Sequence, residues 1–120
     1  MTQLETIYGY TLAHGGCTFT AGEMNPSEGY AVGGFAPHKY CAQLDYEMFK
    51  QLALEFEAMT DRHYVVGTWV KEGLIVFDLV NIFDDKHDAL RMANILNQEA
   101  IFDLANNVEI MSDVSDKTKI

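Results

Sequence analysis

Four residues of metal-binding type stand in two matched pairs, His14-Gly-Gly-Cys17 and His38-Lys-Tyr-Cys41. Zinc takes four tetrahedral ligands of thiolate and imidazole, and two closely spaced pairs are one way a small domain supplies them. The spacing argues against it. Residues three apart on a strand point to opposite faces, so each pair needs a turn before its ligands converge. Gly15-Gly16 offers one, whereas Lys39-Tyr40 does not. The simpler expectation is two buried cysteines and two surface histidines.

A second set is Asp78 and Asp103, each the centre of a Phe-Asp-Leu triplet in an apolar run. On neighbouring strands in register, the two carboxylates would share a face, where they could bind a divalent cation or work as an acid–base pair. Otherwise each accepts backbone N–H groups at a strand end. Neither has a His, Lys or Gly-rich phosphate loop beside it in sequence, and the serine-hydrolase, nucleotide-loop and zinc-protease signatures are absent. The expectation is no catalytic residue, no metal and no cofactor.

The third set is the surface charge. Eighteen acidic residues oppose eight basic ones, a net charge of −10. Such a field repels phosphate backbones and anionic bilayers, which excludes direct nucleic-acid binding and membrane docking as expected functions. Glu47, Glu55, Glu57 and Asp61 form a candidate acidic face for a partner protein. Rows of carboxylates on a helix can imitate phosphate spacing and so occupy a basic groove, although a charged face is more often simply solvated.

The elements that would position these residues follow from periodicity. Leu4, Ile7, Tyr8 and Leu12 recur at helical spacing and stop at Gly15-Gly16. Cys17–Thr20 is a strand, residues 21–29 a loop, Tyr30–Phe35 a strand bulged at Gly33-Gly34, and 38–44 a third strand. Tyr46, Phe49, Leu52, Ala53, Phe56 and Met59 mark the clearest helix, with Asp45 as its N-cap. Strands Tyr64–Val70 and Leu74–Phe83 form a hairpin through Lys71-Glu72-Gly73. A helix capped by Asp84 or Asp85 then runs to about Glu99, and a last hairpin pairs Ala100–Leu104 with Val108–Met111. The strand–helix–strand unit over residues 74–104 predicts that its two strands are parallel. The fold class is α+β: a mainly antiparallel sheet with about three helices on it, one domain over 1–111 and a frayed polar tail over 112–120.

Several motifs carry a resemblance. Gly15-Gly16-x-Thr18, Pro26-x-x-Gly29-Tyr30-Ala31-Val32, Gly67-Thr68-Trp69, Phe77-Asp78 and Asn97-Gln98-x-Ala100-Ile101-Phe102-Asp103-Leu104 together resemble small accessory proteins of phages and mobile elements. That family has no established activity, so the resemblance implies a setting inside a bacterial host and no mechanism. The reading is a non-enzymatic cytoplasmic protein that binds a host protein, with homodimerisation open. Its sharpest form is inhibition of a host defence nuclease by acidic mimicry. The alternative is a small metal- or ligand-binding module, or an enzyme, using Asp78 and Asp103.

Overall fold

A computed structural model describes residues 3–20, 23–24, 26, 28–60 and 64–113. In chain order the elements are α1 (Gln3–His14), β1 (Gly16–Thr20), β2 (Glu23–Met24), β3 (Tyr30–Val32), β4 (Lys39–Ala42), α2 (Tyr46–Glu57), β5 (Tyr64–Lys71), β6 (Leu74–Phe83), α3 (Lys86–Ile95), β7 (Ala100–Asp103) and β8 (Val108–Met111). The α+β class holds. Among the described residues eight strands form one sheet, seven of them in the order β2-β1-β5-β6-β3-β7-β8, and every pairing is antiparallel. The eighth strand, β4, also pairs with β6.

Long β6 organises the sheet. One side pairs with β5 over residues 74–81, from Lys71↔Leu74 to Tyr64↔Asn81. The hairpin between them closes at Glu72-Gly73, both with positive φ (52° and 81°), as a two-residue turn with right-handed strand twist requires. The other side of β6 is shared: β4 takes residues 74–77 and β3 takes 81–83. Neither strand pairs with residues 78–80.

Register and alternation sort the side chains into two faces, because directly opposed residues point the same way. On one face Cys17, Phe19, Val66, Ile75, Phe77 and Leu79 pack with Ile7 of α1 and Phe49, Leu52, Ala53 and Phe56 of α2. Val32 and Ile101 meet Ala89 and Ala93 of α3 on that same face. All three described helices therefore cover one side. The opposite face carries Thr18, Gly67, Trp69, Val76, Asp78, Ala31, Tyr40 and Phe102, and no described helix packs there.

The helix ends follow local chemistry. Asp45 Oδ1 accepts the Met48 amide at 3.0 Å, and Asp85 Oδ1 accepts that of Asp88 at 3.1 Å. α3 stops at Ile95, short of the expected Glu99. Asn97 takes a left-handed φ of 58°, and the Gln98 amide turns back to the Ala93 carbonyl at 2.7 Å, a closure typical of helix C-termini. Ser112 and Asp113, expected to fray, are docked: the Ser112 amide bonds the Glu99 carbonyl at 2.8 Å, and the Asp113 amide bonds Asn94 Oδ1 at 3.1 Å. The rest of the expected tail, 114–120, lies outside the described residues. The two-residue β2 lies in the segment expected to be loop, paired to the end of β1.

Candidate functional site

Of the two readings of Asp78 and Asp103, a shared site is ruled out by the position of β3, and each carboxylate instead accepts backbone N–H groups. β6 and β7 are each antiparallel to β3, so they run parallel to one another as the crossover implies, but β3 stands between them. Tyr30 opposes both Phe83 and Asp103, so Asp103 shares the face of Phe83, on the helix side. Asp78 lies five positions from Phe83, an odd step, and so faces the other way. The carboxylates are offset by about 16 Å along the strands and about 10 Å across them. They share no site.

Asp103 holds a turn. Its Oδ1 accepts the amides of Ala105 (3.1 Å) and Asn106 (3.2 Å), and its Oδ2 accepts Asn106 Nδ2 at 2.8 Å. These bonds, the Asn106 side chain foremost, keep its carboxyl below the ordinary carboxylate range. The residue organises the β7–β8 hairpin, the local capping role short polar side chains commonly fill.

Asp78 is only 4% exposed and stands where β6, paired with β5 on one side, lacks a strand partner on the other. The chain leaves β3 at Val32 and crosses this gap before re-entering the sheet at Lys39. Asp78 receives it: the Gly34 amide donates to Oδ1 at 3.0 Å and Oδ2 at 3.1 Å, and the Phe35 amide bonds the Leu79 carbonyl at 3.2 Å. Gly33 must be glycine here, since a Cβ would lie 1.9 Å from Asp78 Oδ2. This is why the strand expected over Tyr30–Phe35 ends early. The carboxylate replaces the missing ladder.

His38 completes the cluster. The β4–β6 register, Lys39↔Phe77, places it directly opposite Asp78, with Nε2 3.4 Å from Oδ1. Its ring meets Trp69 edge-on at 5.2 Å. Val76, between Trp69 and Tyr40 in the next cross-strand row, is buried beneath them although no described helix covers it. Burial pushes the Asp78 carboxyl above its ordinary range, opposed by the Gly34 amide and by His38. Sequence reasoning weighs His38 only with Cys41 and Asp78 only with Asp103. Only the long-range β4–β6 register, invisible in the sequence, joins His38 to Asp78.

The two His-x2-Cys pairs do not converge. Cys17 and Cys41 are buried on the helix face, whereas His38 is on the other face and His14 ends α1 stacked on Tyr10 at 4.1 Å. Burial pushes the Cys17 thiol up to about 12 and raises that of Cys41, with Asp45 adding to the latter. Such thiols are poor nucleophiles and poor metal ligands. Among the described residues, no three His, Cys, Asp or Glu side chains are grouped to hold a metal ion.

The candidate acidic face is spread around α2. Relative to Glu47, Glu55 is rotated by about 80° one way and Glu57 by about 80° the other. Glu47 is 3.4 Å from Lys50, Glu55 pairs with Lys39, and Glu57 is half-buried, which raises its carboxyl. Asp61 lies outside the described residues. Between the acids lie apolar side chains unusually open to solvent: Leu44 (90% exposed), Met48 (39%) and Leu54 (53%). Met48 and Leu54, with Asp45, Glu47, Lys50 and Gln51, line a shallow groove of ≈ 500 Å³. Sequence reasoning noted Leu54 alone, because Leu44 precedes the helix and Met48 lies at its edge.

The chain matches no protein-family model, no curated protein and no solved structure. Among the described residues no helix is long and apolar enough to cross a membrane.

Proposed function

We propose that the chain is a non-enzymatic binding protein that takes a basic, partly apolar segment of another protein against the outward side of α2. The observation that carries this reading is the groove where Met48 and Leu54, both open to water, lie among Asp45 and Glu47, with Leu44 beside it. Exposed apolar side chains rimmed by charge are a common mark of an interaction surface. A net charge of −10 selects a basic partner and speeds its approach. The resemblance to phage and mobile-element accessory proteins makes that partner a protein of the bacterial host. Inhibition of a host defence nuclease is the sharpest form, drawing on the net charge. The apolar groove favours a partner that inserts side chains as well as presenting a basic rim.

The test is capture from bacterial lysate at low and moderate salt, with the wild-type chain beside Leu54→Lys and Glu47→Lys. The reading expects a basic protein retained by the wild type and lost from both variants, while Phe102→Ser, altered on the opposite sheet face, retains it. For the nuclease form, the captured protein is assayed for nuclease activity with and without the chain. Capture of nothing at either salt, or equal capture by all variants, removes the reading.

A further inference from the structure

We propose that two copies of this chain join through the outer edge of β8, antiparallel about a two-fold axis at Ile110, to make one continuous sheet. β8 ends the sheet, with β7 on one side and, among the described residues, no strand on the other. Its ladder shows which groups that edge offers. The Ser112 amide bonds the Glu99 carbonyl across the β7–β8 register, so Ile110 and Val108, at steps of two, also turn their backbone groups toward β7. Glu109 and Met111 therefore point their N–H and C=O groups outward, as a template for another strand. The side chains add to it. Val108 and Met111 are 48% and 55% exposed, and the run Val108–Met111 carries none of the lysines, prolines or bulges that commonly guard an edge. Other edges are guarded: β2 is two residues long, and β4 opens with Lys39.

The choice of a second copy follows from the register. An antiparallel partner must match outward groups with outward groups, and self-pairing does so about Glu109, Ile110 or Met111. An axis at Glu109 sets that carboxylate against its own copy, and one at Met111 sets it against Asp113 of the copy. Like charges directly opposed are destabilising. The axis at Ile110 sets each Glu109 against a Met111 and each Val108 against a Ser112, with no acids opposed. On the helix face the pair Ile101↔Ile110 then continues into Ile110 and Ile101 of the copy, a row of four isoleucines across the junction. Ile110, only partly buried against the α3 core in one copy, gains its missing flank. The contact sets one patch against itself, so it closes at two copies, and β2 at the opposite end is too short to extend the sheet. Two chains of net charge −10 repel, so association is reversible and strengthens as salt screens the repulsion.

Sedimentation equilibrium of the intact chain, at low and moderate salt and up to about 1 mM, the weak end of specific association, measures the mass. The expected mass rises with concentration from one copy to two and no further, more readily at moderate salt. Met111→Pro removes an outward N–H and none that β7 uses, so it is expected to stay at one copy, whereas Leu54→Lys on α2 dimerises like the wild type. Hydrogen exchange in the wild type reads the same edge without any substitution. The Glu109 and Met111 amides are expected to slow as concentration rises, while those of Val108 and Ile110, bonded to β7 in either state, change less. One copy throughout this range, or growth beyond two, overturns the proposal. So does a dimer that Met111→Pro keeps or Leu54→Lys loses, or one in which the Glu109 and Met111 amides exchange as fast as in dilute solution.

Discussion

Asp78 and Asp103, the centres of two near-identical Phe-Asp-Leu triplets, face opposite sides of one sheet with β3 running between their strands. The likeness of the triplets is therefore local. In one, the carboxylate closes a gap between β3 and β4; in the other, it closes a hairpin turn. The Asp78 carboxylate meets His38 and the Gly34 amide, that of Asp103 meets the turn of its own hairpin, and the two form no pair.

The first prediction separates the acceptor role of Asp78 from its charge. Asp78→Ala leaves the half-buried Gly34 amide without its acceptor and is expected to cost about 1–3 kcal/mol of stability. Asp78→Asn keeps an oxygen in place and should cost less than about 1 kcal/mol. Denaturant unfolding of both variants checks this. Equal losses would mean that the charge, not the acceptor, holds the connection.

Gly33→Ala drives a methyl group into the Asp78 carboxylate, 1.9 Å away before any adjustment. Overpacking of this kind costs about 1–3 kcal/mol. Combined with Asp78→Ala, which vacates that space, the change should be largely tolerated. A double-mutant cycle measures the coupling, and strictly additive losses would contradict the contact.

Cys17 and Cys41 are expected to resist thiol reagents in the folded chain at neutral pH, and both should react at once in denaturant. A thiol raised to about 12 holds almost no thiolate at that pH. Counting labelled cysteines by mass spectrometry gives the answer. Fast labelling of Cys17 in the native chain would be incompatible with its burial.

The two aspartates should bend the pH–stability curve in opposite senses. Asp78 has a raised folded pKa, so its contribution is full below the ordinary carboxylate range and is lost as pH rises through that raised value. Asp103 has a lowered one, so its contribution is present above the ordinary range and is lost as pH falls through the lowered value. Melting temperatures across the acidic range, with Asp78→Asn and Asp103→Asn in parallel, resolve the two. Relative to wild type, Asp78→Asn should gain stability as pH rises, and Asp103→Asn should gain as pH falls.

Much of the fold was legible because its signals are local. The apolar stripe from Tyr46 to Phe56 and the Asp45 cap define α2, and Gly73 between two β-rich runs defines the central hairpin. Boundaries failed where one side chain decides them. β3 ends because a carboxylate from another strand occupies the space beside Gly33, and α3 ends because Asn97 adopts a left-handed backbone. The insertion of β3 between β6 and β7 was illegible, since pairing between distant segments leaves no spacing to read. The same holds for His38 and Asp78, forty residues apart and joined only by register. On α2 the acids were legible as types, but the partners Lys39 and Lys50 and the open apolar groove between them depend on packing.

Carbon-13 NMR of the aspartate side-chain carboxyls, titrated in the intact chain, reads the separation of Asp78 and Asp103 most directly. The two titrations are expected to be independent of one another, Asp78 with its midpoint above the ordinary aspartate value and Asp103 with its midpoint below. A shared two-step titration, in which replacing either aspartate by asparagine displaces the midpoint of the other, would show one acidic pair and contradict the structure described.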